Sequence, residues 1–182
     1  MAAPSDPKKP SSFSGHSVGA PFGSSKKNSS NGSASTFKAP AFKIPEFNFD
    51  SADQSDSEDV AAATAENVSI NFVKPAIDAL TTYGTRVEAA YTKALAKAKT
   101  AKQLKAVKEQ KALAYSTFAD GLKDSVAANQ KEVCAALESV DEDGSCAEAY
   151  AAVLDSLDSA TSARGITTAL KNLVKDLKNI GE

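Results

Sequence analysis

Apolar residues in the second half of the chain recur at helical spacing. Ile70, Val73, Ile77, Leu80, Gly84, Val87, Tyr91, Ala94 and Ala98 alternate steps of three and four, a heptad seam over four repeats. Phe72, Tyr83, Ala90 and Leu95 flank this seam and widen it. Pro75 interrupts it. Lacking an N–H, it either opens the main helix in its first turn or kinks a longer one. The spacing predicts a helix over 75–99, with a weaker one before it. Thr100 is a candidate N-cap for the next. There Leu104, Val107, Tyr115, Phe118, Leu122, Val126, Val133, Leu137 and Val140 follow a period close to 3.6. Lys111 and Asn129 stand on this stripe where apolar residues are expected. Gly121 lies inside it, at a cost of about 1 kcal/mol relative to Ala.

The acidic turn Asp141-Glu142-Asp143-Gly144 ends that helix. Ser145 followed by Glu148 reads as a capping box that starts another, with Tyr150, Val153, Leu154 and Leu157 facing inward. A break from Ser159 to Gly165 follows. Ile166, Leu170, Leu173, Leu177 and Ile180 then form a short closing seam. No stretch reads convincingly as a strand. The expected fold is all-α: long amphipathic helices, coiled-coil or bundle-like, over 59–140, then a capped helical pair over 141–182. The seams are thin because Ala buries little area, while a fully buried Leu or Val is worth ~1.5–3 kcal/mol. Such helices need a partner from the same chain or another copy, so a homo-oligomer is expected.

Residues 1–58 break the pattern. Ser, Lys, Gly, Asn and Pro dominate, and the apolar content is too low to offset the entropy of ordering, so this tail is expected to be disordered. One stretch stands out. In FKAPAFKIPEFNFD, residues 37–50, Phe37, Phe42 and Phe47 recur every five residues with Pro40 and Pro45 between them, and Phe49 adds a ring. Proline keeps such a segment extended. Each exposed ring has ~1.5–3 kcal/mol to gain from burial. The segment therefore reads as adhesive, with Phe37, Phe42, Phe47 and Phe49 as contacts to a surface or partner.

Composition narrows the chemistry. The one histidine, His16, lies in the polar tail without a frame to position it as a base, so an enzyme is the least favoured class. A hairpin turning at 141–144 places the residue opposite Cys134 near 151. Cys134 and Cys146 are therefore expected as reduced, unpaired thiols, and without nearby His they make no zinc site. The acidic turn lacks the alternating ligands and the closing Glu of a calcium loop. No cofactor or metal is expected. Seven lysines from Lys93 to Lys111, with Glu109 as the one acid among them, form a basic stretch. With two Arg in the whole chain and no ring interleaved before Tyr115, it suits a solvated face better than nucleic acid. No apolar run reaches signal-peptide or membrane-span character, which points to the cytoplasm.

The Phe, Lys and Pro of FKAPAFKIPEFNF, followed by a long Ala- and Lys-rich helical region, resemble the phasins, proteins that coat bacterial polyhydroxyalkanoate granules. Within TYGTRVEAAYTKALAKAKTAKQLKAVKEQKALAYSTFADGL, residues 82–122, the likeness rests on Tyr83, Tyr91, Thr100, Leu104, Val107, Gln110, Tyr115 and Phe118. Leu113 stands where the family commonly has Phe, and residues 140–182 have no counterpart in it. The resemblance spans about residues 37–130. It implies a non-catalytic coat protein at the surface of a hydrophobic polyester granule, limiting coalescence. The alternative is a self-associating helical scaffold whose Phe-Pro tail docks on a partner protein.

Overall fold

The computed structural model describes residues 37–44 and 60–180. The chain divides into Met1–Gly32, which lies outside the described residues, and Ser33–Glu182. The sequence expectations for residues 1–36 and 45–59, Phe47 and Phe49 included, also lie outside them.

All regular structure among the described residues is helical. Helix α1 runs Val60–Val68, passes through a π-helical turn at Ser69–Val73, and continues as α2, Lys74–Lys97. Pro75 sits in the first turn of α2. Its ring would clash with the carbonyl four residues back in an unbroken α-helix. The π turn relieves that conflict by adding a residue, and the Lys74 N–H reaches the Ser69 carbonyl. The extra residue also rotates everything upstream. The buried line runs Ala61, Ala65, Val68, Phe72, Ala76 and Leu80, while Ile70 is 54% exposed. Ile70 thus leaves the seam that heptad counting assigned to it, and Phe72 enters the core.

Helix α3 spans Ala101–Leu137. Thr100 caps it by accepting from the Gln103 N–H at 3.2 Å, and the Gln103 side chain returns to the Thr100 N–H at 3.2 Å. This reciprocal pair satisfies two otherwise orphaned donors. Helix α3 packs on α2 through one hairpin and on α4, Ser145–Asp158, through the next. Helix α5, Ala163–Lys178, lies against α4 and α1 and closes the bundle. The partner that the thin seams call for is thus another helix of the same chain. Val73, Leu80, Val87, Val107, Tyr115, Phe118 and Leu122 are buried, and Ile77 and Tyr91 half-buried. Leu104 is 39% exposed, because it stands at the hairpin tip where α3 begins.

The hairpin of α3 and α4 corrects the cysteine expectation. Cys134 and Cys146 form a disulfide with their Cα atoms 5.6 Å apart. Helix α3 ends at Leu137, earlier than the stripe suggests, so residues 138–144 form the loop and the pairing centres near residue 140. Asn129 with Tyr150 and Lys123 with Asp158 are nested about the same centre. That register puts Cys146, not residue 151, opposite Cys134. The start of α4 differs too. Gly144 is the N-cap residue at φ +74°, a conformation that glycine adopts without a Cβ penalty. Ser145 makes no capping bond; the Cys146 N–H instead donates to Asp141 Oδ2 at 3.1 Å.

Asn129 explains its place on an apolar stripe. It is buried, and its Oδ1 accepts from the Tyr150 hydroxyl at 2.5 Å, so both polar groups are paired inside the core. The disulfide closes a short loop, and removing it is expected to cost about 3 kcal/mol. Cys134→Ser with Cys146→Ser should lower Tm by roughly 10 °C. Reductant added to the native chain should produce the same shift in a circular dichroism melt.

Candidate functional site

The segment Phe37–Ile44 runs without helix or strand against the bundle. We call it the strap. Two of the rings assigned from sequence to an external surface, Phe37 and Phe42, meet the chain's own core. Phe37 is buried at 8% exposure. Phe42 is half-buried between α2 and α3, with its ring centroid 5.0 Å from that of Tyr83 and 5.0 Å from that of Phe118. Tyr83 and Phe118 stack on each other at 5.1 Å. Ile44 packs beside them.

Gly121 makes the seat possible. A Cβ at that position would lie 3.1 Å from Phe42 Cε2 and 3.3 Å from its Cζ. The helix accepts a poor helix former here because any side chain would push against the strap ring. The glycine's position inside a helix was the signal for this contact, but nothing in the sequence said which residue approached it.

Tyrosines frame one side of the seat. The Tyr83 hydroxyl donates to the Ala114 carbonyl at 2.9 Å, which fixes the α2–α3 register. Tyr115 lies edge-on to Tyr83 at 6.3 Å and donates to Glu88 Oε1 at 3.2 Å. Glu88 also pairs with Lys111, whose ammonium sits 4.4 Å from the centre of the Tyr91 ring. Lys111 thus reaches solvent past a ring and a carboxylate instead of filling the apolar stripe. Burial, and then the negative charge of Glu88, push the Tyr115 phenol up to about 12. Burial also raises Tyr83 and Tyr150.

Beside Tyr115 a groove of about 340 Å³ opens between the α2–α3 hairpin and the start of α5, with Glu88, Lys108, Lys111 and Arg164 on its walls. Its carboxylate is engaged by Lys111 and Tyr115, and the Ser162 hydroxyl oxygen accepts from the Gly165 N–H as the cap of α5. Among the described residues no cluster of three or more His, Cys, Asp or Glu could hold a metal ion. No described helix is long and apolar enough to cross a membrane. The arrangement is suited to holding an apolar ring. Its ionic groups set the hairpin register.

Two outcomes follow from this geometry. Gly121→Val should displace Phe42 and speed tryptic cleavage at the exposed Lys43, as should Phe42→Ala, which also removes about 1 kcal/mol of stability. The check is peptide mapping over a digestion time course. The tyrosines set an alkaline limit. Their folded pKa values exceed the unfolded value near 10, so their stabilising contribution is complete below about pH 10. It is lost as pH rises towards 12, because the unfolded chain releases those protons first. Denaturant titrations across that window should show falling stability, with a shallower fall in Tyr115→Phe.

Comparison of the chain with protein-family models, with curated proteins and with solved structures finds no match.

Proposed function

We propose that the chain is a non-catalytic coat protein that binds the surface of hydrophobic polyhydroxyalkanoate granules, trading intrachain apolar contacts for contacts with the polymer. The observation that carries this reading is the strap. Phe42 rests on the bundle through ring contacts while only half-buried, and Phe37 of the same segment is buried in the core. Such rings can transfer to another apolar phase at little net cost, and leave Tyr83, Phe118 and the backbone at Gly121 open when they do.

The helical core fits the same behaviour. Nine of its buried described residues are alanines, so its seams bury little area per residue. Amphipathic helices held by thin seams can spread their apolar faces on a hydrophobic phase. The disulfide ties α3 to α4 and would keep that pair together while α1 and α2 swing away.

A pelleting assay with polyhydroxybutyrate particles tests this. The native chain should sediment with the polymer in a salt-insensitive way. A variant with Phe37, Phe42, Phe47 and Phe49 changed to Ser should lose at least tenfold in affinity, as the burial of three or four rings implies. Undiminished sedimentation of that variant would assign binding to the helices and remove the strap from the account. No sedimentation of the native chain would overturn the granule reading.

A further inference from the structure

The tip of the α2–α3 hairpin carries a charge pattern that helix stability does not explain. Lys93 and Lys97 lie near the end of α2, Lys99 in the link, and Lys102, Lys105 and Lys108 in the first turns of α3. All six are exposed. Glu109 is the one acid between Lys93 and Lys111, in a chain whose formal net charge is −2. Lys97 suits the negative end of the α2 dipole. Lys102 does not suit α3, because a helix N-terminus favours acids and the first turn of α3 has none. Lys102, Lys105 and Lys108 follow one another at three-residue spacing, so they share a face and repel. Lys105 meets Glu109 at 3.8 Å with both groups largely in water, while Lys97, Lys99, Lys102 and Lys108 make no ion pair with a described residue.

An apolar residue stands among these charges. Leu104, 39% exposed, follows Gln103 in the first turn of α3, directly before Lys105 and one turn before Lys108. The Thr100–Gln103 capping box holds this turn in a fixed conformation. A rigid, convex, lysine-rich tip with an exposed leucine matches a flat anionic surface with an apolar layer beneath it.

We infer that the α2–α3 tip docks the protein onto anionic lipid headgroups, with the lysines at the phosphate level and Leu104 entering the acyl boundary. Lysines act as mobile point charges, which suits a laterally fluid layer. Nucleic acid fits less well. The stretch itself has no Arg for bidentate phosphate contacts, its exposed lysines other than Lys108 lie outside the groove beside Tyr115, and the nearby Tyr91 ring is covered by Lys111. The tip is distinct from the strap seat, since Tyr83 lies about 24 Å along α2 from the link at ~1.5 Å per residue. The inference does not rest on the granule reading.

The experiment is sedimentation of the full chain with phosphatidylcholine vesicles, with and without phosphatidylserine, at low and high salt. Binding is expected only with phosphatidylserine and should weaken as salt rises. Changing Lys99, Lys102 and Lys105 to Gln should weaken it on the order of 100-fold. Leu104→Ala should weaken it several-fold. These positions are exposed, and unchanged circular dichroism melts would confirm that the variants fold. Equal binding to neutral vesicles, or full retention of binding in the lysine variant, would overturn the inference. So would tighter binding to a DNA duplex than to anionic vesicles under the same conditions.

Discussion

Helix α3 is too long and too thinly apolar to stand without cover along both halves. Its first half is covered by α2 and its second by α4, through two antiparallel hairpins. Polar contacts fix the register of each. Tyr83 to the Ala114 carbonyl and Glu88 to Lys111 and Tyr115 align the first. The Cys134–Cys146 disulfide and the Tyr150–Asn129 bond align the second. Apolar seams of Ala and Val slide easily because their side chains are small and alike. Specific polar and covalent cross-links give this bundle one alignment, and the placement of the strap seat follows from it.

The seat depends on that alignment in a direct way. Tyr83 comes from α2, while Phe118 and Gly121 come from α3. A slip of one turn between the helices would move the glycine away from the tyrosine and close the notch that receives Phe42. The same register buries Tyr115 and brings Glu88 to it and to Lys111, and burial first, then the Glu88 charge, raises the Tyr115 phenol. Strap docking and the ionic cluster are thus two results of one hairpin geometry.

Helix content from Ile70 onward was legible in the sequence because the apolar period recurs there, whereas α1 carried only the expectation of a weaker helix before Pro75. Thr100 was legible as a candidate cap although no Gly or Pro marks that turn, and Ser162 lies within the break read from Ser159 to Gly165. What the sequence hid were events that depend on counting across an irregularity. The π turn before Pro75 moved Ile70 outward and brought Phe72 inward. The early end of α3 moved the hairpin centre and brought two cysteines together. The destination of Phe37 and Phe42 was hidden for a different reason. A polar stretch with isolated rings looks the same whether its acceptor is another molecule or a notch on its own bundle. Gly121 marked the notch, as a glycine kept inside a helix against propensity, but that signal names no partner.

The Phe42 seat exists only if the strap is docked in solution. The most direct measurement is an NMR contact map around Gly121 in the isotope-labelled full chain. Docking predicts nuclear Overhauser contacts from the Phe42 ring to the Gly121 α-protons and to the Tyr83 ring, with the glycine α-protons shifted by the ring current. Random-coil shifts for Phe42 with no such contacts would contradict it, and would return the rings to the role of free anchors.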